Sequence, residues 1–380
     1  MQAHSALSCA SQLDQAIAEV ADSIPFRPEL CLAFATPGLG DLSRLPSELG
    51  RRLDGVPVVG GSGAGVLANG QETENGAALG LLALDLDGSS VEVRHFETDS
   101  LPSDDGPPGD WVEAIGMSRE DCGGLLICAD PFSMDSEALV RGLDFGLPAA
   151  PKVGGLVSGG GPGSQTLFCG DAAREAGAVT VALGNDIELE PVVARGCRPV
   201  GRTGTVSSAK GQIVHRIDDQ PALDFLRQQA AESRGGSMFL GVESDPLDPT
   251  EPSVDDFLIR NFVGSDDASG SVAIGALVGA GRRVRLHVRD KDASRLDLHE
   301  RLASARSEAK AALLFSCLGR GQALFGERHH DSNAIRQRYP EVALCGAFCN
   351  GEIGPVGGVS YVHGYTASIA LLSQRTSDPT

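Results

Sequence analysis

The sequence predicts an α/β fold with two similar domains, each made of duplicated strand–helix–strand–hairpin units. The first observation is an internal repeat in which an apolar strand, a helix, a second strand and a Gly-Gly turn follow one another. Two copies have nearly the same spacing, with 26 positions from Phe34 to Gly60 and 27 from Ile127 to Gly154. The second observation is a third copy near the C-terminus.

The elements of the first copy follow from their local patterns. Apolar side chains at helical spacing indicate helices, continuous apolar runs indicate strands, and two runs around Asp87-Gly88 indicate a hairpin. In chain order these patterns predict a helix at 11–23, a strand at 30–36, a helix at 42–53, a strand at 56–65 and a hairpin at 77–97.

The later copies repeat this order. The second copy predicts a strand at 124–132, a helix at 135–145, a strand at 150–161 and a hairpin at 178–196. The third predicts a strand at 311–317, a helix at 331–339, a strand at 342–354 and a closing segment at 358–372. A weaker fourth copy lies within 237–290. The turn-rich stretch 201–212 is the best boundary, so the predicted domains are 1–203 and 204–380.

Composition limits the classes of partner. The 380-residue chain carries a net charge of −20, so phosphate backbones and anionic lipid would repel it, and we expect neither a nucleic acid nor a membrane as partner. The nine cysteines are odd in number and include no C-x-x-C pair, which is typical of a reduced compartment. The N-terminus lacks the pattern of a signal peptide, so we expect a cytoplasmic protein.

Metal and cofactor motifs are absent from the sequence. It has no H-E-x-x-H, no EF-hand loop and no P-loop, and we predict neither a metal site nor a cofactor. The glycines of VVGGSGAG are better explained by close strand packing than by phosphate binding.

The candidate site lies where two strands of the third copy end, in FSCLGRG (315–321) and CGAFCNGEIGP (345–355). Ligands of open α/β sheets bind at such carboxyl edges. A guanidinium between two glycines suits a carboxylate or phosphate, and Glu352 suits an ammonium group, so Arg320 and Glu352 together could hold an amino acid by both ends. The candidate ligand-binding residues are Ser316, Cys317, Gly319, Arg320, Asn350, Gly351, Glu352, Arg289 and Asp290.

Alternatives stay open for these residues. Arg320 and Glu352 could form a structural ion pair, and Cys317 could be a small apolar residue of a strand. Cys317 could also be a nucleophile, because Arg320 and nearby backbone N–H groups would favour its thiolate. A nucleophile needs a base, but His329 and His330 lie on the polar start of a helix, where we expect them to face solvent.

These motifs, with VPVVGGSGAG, KVGGLVSGG, FLIRNFVG and HVRDKDAS, resemble the FIST family over about residues 25–372. The resemblance implies a FIST N-like domain at 1–203 and a FIST C-like domain at 204–380. It also implies a sensory module that binds a small polar ligand such as an amino acid. The sequence lacks a kinase, cyclase or chemoreceptor segment, so we expect a stand-alone version that signals through a separate protein. The alternatives are a cysteine-nucleophile enzyme acting on a small amide or ester, and a scaffold that docks a protein partner.

Overall fold

The computed structural model describes residues 1–103, 105–231, 233, 235–245, 250–306 and 308–375. The chain forms two compact units, one of Met1–Val193 with Glu300–Thr380 and one of Ala194–His299. The α/β class is confirmed, with several mixed sheets. The compact units follow contacts in space, whereas the domains 1–203 and 204–380 divide the chain along its sequence and stay a prediction.

The helices occupy the positions that the apolar patterns indicate, with further helices between them. They are α1 (Leu13–Asp22), α2 (Leu45–Arg52), α3 (Pro108–Ile115), α4 (Ser136–Gly146), α5 (Ala222–Ala230), α6 (Lys291–Ser304), α7 (Gly321–Phe325) and α8 (His330–Arg338). Short 3₁₀ helices lie at Pro37–Leu39, Thr98–Ser100 and Val254–Asp256.

The strands alternate with these helices. The first stretch of the larger unit holds β1 (Gln2–Ser8), β2 (Leu30–Ala35), β3 (Val58–Ser62), β4 (Val66–Ala68), β5 (Gln71–Thr73), β6 (Leu79–Asp85), β7 (Val91–Phe96), β8 (Cys122–Ala129), β9 (Lys152–Leu156), β10 (Leu167–Gly170), β11 (Ala172–Arg174), β12 (Ala178–Gly184) and β13 (Ile187–Ala194). The smaller unit holds β14 (Cys197–Lys210), β15 (Ile213–Ile217), β16 (Gln220–Pro221), β17 (Ser237–Glu243), β18 (Phe257–Asp266), β19 (Ser271–Ile274) and β20 (Arg283–Arg289). The last stretch holds β21 (Ala311–Cys317), β22 (Ala343–Cys349), β23 (Gly351–Val356), β24 (Val359–His363) and β25 (Ala367–Gln374).

Three copies of the repeat build the larger unit, one sheet each. The strand orders are β1-β6-β2-β3-β10-β11, β24-β23-β9-β8-β12-β7 and β13-β25-β21-β22-β4-β5. Each sheet centres on a parallel pair, β2/β3, β8/β9 or β21/β22. An antiparallel strand of the same copy, β6, β12 or β25, flanks one side of the pair, and an antiparallel strand of another copy's hairpin flanks the other side. The crossover within each parallel pair contains a helix, as parallel strands require.

The copies exchange hairpins in a closed cycle. Hairpin β4–β5 follows β3 but pairs with β22 of the third copy. Hairpin β23–β24 follows β22 but pairs with β9, and hairpin β10–β11 follows β9 but pairs with β3. The strands around Asp87-Gly88 likewise part, because β6 joins the first sheet and β7 pairs with β12 of the second. Each copy is therefore completed by its neighbours.

Glycines allow the parallel strands to approach at one equivalent place in each copy. A Cβ atom on Gly60, Gly154 or Gly346 would lie 2.0, 2.0 and 1.9 Å from a carbonyl oxygen of the preceding strand. Gly60 and Gly346 also have positive φ angles of 139° and 158°. The prediction of turns at the Gly-Gly pairs is wrong, because both pairs lie inside strands, β3 and β9. The glycines serve close strand packing, as the sequence indicates.

One apolar core joins the three sheets. It includes Leu32, Leu126 and Leu313, one from each copy, and the rings of Phe34 and Phe315 meet edge to face at 5.9 Å. The smaller unit has a separate core around α5 and an antiparallel sheet in the order β14-β20-β17-β18-β19-β15-β16.

Candidate functional site

The candidate site is at the carboxyl ends of the parallel strands β21 and β22. Cys317 and Cys349, the last residues of the two strands, are paired in register. The chain leaves β21 through Leu318 and Gly319 to α7, and it leaves β22 through Asn350 to β23. The edge predicted from FSCLGRG and CNGEIGP is therefore one continuous region of the larger unit.

Arg320 is buried and binds Asp331. Its Nε donates to Oδ2 of Asp331 at 2.7 Å and its Nη2 donates to Oδ1 at 2.9 Å. The same carboxylate accepts a hydrogen bond from Ser316 Oγ at 3.1 Å and lies 2.9 Å from His330 Nδ1. Burial alone would raise the pKa of Asp331, but the charge and hydrogen bonds of Arg320, with those of His330, outweigh it and hold the pKa well below its usual range.

Aromatic packing fixes the Arg320 and His330 side chains. The ring of Phe325, at the end of α7, stacks on His330 with centroids 3.5 Å apart and 11° between the planes. The Arg320 guanidinium carbon lies 5.2 Å from the Phe325 centroid. The expectation that His330 faces solvent is wrong, because only 7% of it is exposed. The polar residues around His330 in the sequence suggested an exposed side chain, but its contacts with Phe325 and Asp331 bury it.

Glu72 is a site residue that the sequence analysis missed. It lies on β5, in the hairpin that the first copy lends to the third sheet, and it is 6% exposed. Its Oε1 accepts the backbone N–H of Ser332 at 2.8 Å, and its own N–H donates to His329 Nδ1 at 2.7 Å. Burial, followed by the charge of Asp331, raises the pKa of Glu72 to about 7. No local sequence pattern indicates that Glu72 belongs to the site, because the pairing of hairpin β4–β5 with β22 brings it there.

Glu74, two residues along, holds the loop that carries Arg320. Its Oε1 accepts the backbone N–H of Gln322 at 2.8 Å. Gly321 has φ +66°, and a Cβ there would lie 2.7 Å from the Glu74 carboxyl group. The second glycine of Gly-Arg-Gly therefore allows both the left-handed backbone and the approach of Glu74.

Cys317 receives backbone donors at its sulfur. The N–H of Gly319 lies 3.5 Å from Sγ, and the N–H of Tyr365, a residue with φ +66°, lies 3.3 Å from it. Burial, followed by the charge of Glu352, raises the pKa of the neighbouring Cys349 thiol well above its usual value. Backbone N–H groups therefore contact the Cys317 sulfur, whereas the charge of Glu352 acts on the Cys349 thiol.

Glu352 is fully buried on β23, and its Oε2 accepts the backbone N–H of Thr366 at 3.0 Å. The carbonyl of Thr366 accepts the N–H of Cys317, and the carbonyl of Cys317 accepts the N–H of Arg320. A short series of hydrogen bonds therefore joins the backbone of Arg320 to the carboxylate of Glu352. The guanidinium binds Asp331, a partner that the sequence analysis did not assign.

The remaining predicted residues have structural partners of their own. Asn350 is exposed and donates from Nδ2 to the carbonyl of Val157 at 3.0 Å, while Gly351 pairs with Leu156 of β9. Arg289 and Asp290 belong to the smaller unit, where Asp290 Oδ1 accepts the N–H of Ala293 in α6 at 2.9 Å. The structure thus brings Ser316, Cys317, Gly319, Arg320, Asn350, Gly351 and Glu352 to one region of the larger unit.

Across the described part of the chain, no group of His, Cys, Asp and Glu side chains is arranged to hold a metal ion. In the same residues no helix has both the length and the apolar composition needed to cross a bilayer.

Known sequences resemble this chain over most of its length. An uncharacterized protein of Mycobacterium tuberculosis, Rv0628c, is 33% identical over 330 residues, which cover 83% of each chain. An uncharacterized protein of Mycobacterium bovis, Mb0898c, is 34% identical over 260 residues, covering 65% of this chain and 66% of its own. Among solved structures, a cyanuric acid hydrolase from A. caulinodans aligns with 99% of both chains at 10% identity, but its TM-score of 0.29 supports no argument.

The family comparison agrees with the motifs. The FIST N domain matches residues 29–220 and the FIST C domain matches residues 222–355. FIST domains are generally sensory domains that bind small ligands. The chain therefore belongs to the FIST family.

Proposed function

We propose that this protein is a signal-input module that binds a small polar ligand, an amino acid or similar metabolite, at the carboxyl ends of β21 and β22. One observation carries the proposal: the buried Arg320–Asp331 pair lies beside Glu72, whose pKa is raised to about 7. Burying several ionisable groups costs free energy, and such groups cluster at functional sites.

The candidate residues suit the two ends of an amino acid. The Arg320 guanidinium matches a carboxylate, which would compete with or share the contacts of Asp331. The buried Glu352 carboxylate matches an ammonium group. The backbone N–H groups of Gly319 and Gly351 and the side chain of Asn350 would add hydrogen bonds, with Ser316 and Cys317 in the wall. A separate signalling protein would receive the output.

A thermal-shift screen of amino acids and small carboxylates tests the proposal, because a ligand that binds the native state raises its melting temperature. The matched variant is the double substitution Arg320→Met with Asp331→Leu, which removes both charges while keeping apolar volume. In the control variant, Arg44 and Glu48, which form an ion pair at the surface, are both replaced by glutamine. We expect a ligand that shifts the wild type and the control but not the first variant; an equal shift in all three would reject the site.

The second candidate function, a cysteine-nucleophile enzyme, is favoured by the two N–H groups at the Cys317 sulfur. Alkylation with iodoacetamide, followed by peptide mass spectrometry, separates it from a binding protein. An activated Cys317 would react faster than Cys9, which is exposed. A binding site predicts slower reaction at the buried Cys317. A stoichiometric protein partner with no ligand shift would instead support a docking scaffold.

A further inference from the structure

Hairpin β4–β5 holds the two helices that carry the candidate site. Glu72 on β5 and Glu74, which directly follows β5, each reach the start of a helix. Glu74 Oε1 accepts the N–H of Gln322, the second residue of α7. Glu72 Oε1 accepts the N–H of Ser332, the third residue of α8.

These contacts flank the buried ion pair. Arg320 immediately precedes α7, and Asp331 is the second residue of α8. The hairpin is itself fixed by its pairing with β22 and by a turn in which Asn69 and Gly70 have φ angles of 49° and 73°. Moving the hairpin away from the helices would therefore release the starts of both at once.

We propose that hairpin β4–β5 is a proton-controlled latch over the Arg320–Asp331 pair, firmly closed while Glu72 is protonated and weakened when Glu72 carries its charge. The latch depends on the proposed function only for the ligand that it would admit. The latch itself is inferred from the hydrogen bonds of Glu72 and Glu74 to the two helices.

The charges around Glu72 give the latch its direction. Asp331 of α8 and Glu74, which directly follows β5, both oppose a second negative charge there. Arg320, before α7, contacts Asp331 with two nitrogen atoms, and His330 Nδ1 lies 2.9 Å from Oδ1 of that carboxylate. The N–H groups at the start of α8 favour the charged form, but burial and the repulsion by Asp331 outweigh them.

The sign of the pH response follows. The pKa of Glu72 is about 7 in the closed latch, against an ordinary 4.5. The stabilisation is therefore complete below the ordinary value and is lost as the pH rises through about 7. His329 Nδ1 accepts the N–H of Glu72, so the test must compare proteins that share this histidine.

Amide hydrogen exchange, measured on the full chain in two proteins that both contain His329, tests the latch. The opening constant at the Ser332 amide, corrected for intrinsic exchange, is compared between wild type and Glu72→Gln at pH 6 and pH 8. Because His329 is present in both proteins, the opening constant of the wild type divided by that of Glu72→Gln reports on Glu72 alone. We expect this ratio to rise about tenfold from pH 6 to pH 8. The control Glu113→Gln, at an exposed position of α3, should keep the wild-type response at Ser332. A wild-type-to-Glu72→Gln ratio that does not change with pH overturns the latch.

A carboxyl NMR titration of the wild type needs no variant. We expect Glu72 to titrate near 7, and a midpoint near 4.5 would overturn the latch. The thermal-shift screen of ligands distinguishes failure of the latch from failure of the proposed ligand binding. A ligand shift with a flat exchange ratio overturns the latch alone, whereas a rising ratio supports it even if no ligand shifts the melting temperature.

Discussion

Asp331 contacts the guanidinium of Arg320 with both carboxylate oxygens, and neither side chain is more than 2% exposed. The pair joins the loop after β21 to the start of α8, and both lie in the crossover from β21 to β22. Charges removed from water in this way are stable only together.

We therefore predict that removing one partner is costly. Asp331→Ala leaves a buried guanidinium beside an apolar ring, and the free energy of unfolding in urea should fall by about 3–5 kcal/mol. Arg320→Ala leaves Asp331 buried without that guanidinium and should cost a similar amount. The double variant Arg320→Met with Asp331→Leu should lose clearly less than either single variant. Single variants as stable as the wild type would contradict a buried pair.

The second prediction concerns Glu72 and pH. Because burial and Asp331 raise its pKa to about 7, the carboxylate destabilises the native state above neutral pH. Glu72→Gln, which mimics the protonated form, should be more stable than the wild type by about 1–3 kcal/mol at pH 8. The difference should shrink as the pH falls toward 4.5. Urea unfolding at several pH values measures this, and a wild type that gains on the variant with rising pH would refute the assigned sign.

A third prediction compares two glycines with left-handed backbones. Gly321→Ala adds a Cβ against the Glu74 carboxyl group, whereas Gly326→Ala meets open space at a similar φ of +73°. Both substitutions cost about 1 kcal/mol of backbone strain, and we expect Gly321→Ala to cost about 1 kcal/mol more. Equal melting temperatures for the two variants would show that Glu74 does not approach the loop.

The fourth prediction tests the close approach of parallel strands. A Cβ on Gly154 would lie 2.0 Å from the carbonyl oxygen of Ile127, so Gly154→Ala must push two buried strands apart. We expect a loss of at least about 3 kcal/mol, at the upper end of single substitutions. Gly161→Ala, where the added atom meets open space, serves as the control and should change stability little.

The strands and the repeat were predictable because continuous apolar runs and Gly-Gly pairs are local signals. The exchange of hairpins was not, since β4 and β5 carry no pattern that names β22 as their partner. Glu72 was missed for this reason, because it lies 248 positions before Arg320 in the sequence. Asp331 was seen only as part of a polar helix start, a place where carboxylates usually face solvent.

The site prediction was limited in the same way. Buried strands ending in Cys317 and Cys349 were correctly expected to lie side by side, because parallel neighbours share a carboxyl edge. Arg320 and Glu352 both lie in this region and are both buried. Which carboxylate binds the guanidinium depends on side-chain directions that spacing does not encode, and the structure assigns Asp331.

A co-crystal structure with the amino acid or carboxylate that gives the largest thermal shift tests the central claim most directly. We expect ligand density at the carboxyl ends of β21 and β22, with the ligand carboxylate within hydrogen-bond distance of Arg320. Density elsewhere, for example in the apolar cleft of the smaller unit between Leu226 and Met238, with the Arg320–Asp331 contacts unchanged, would contradict it.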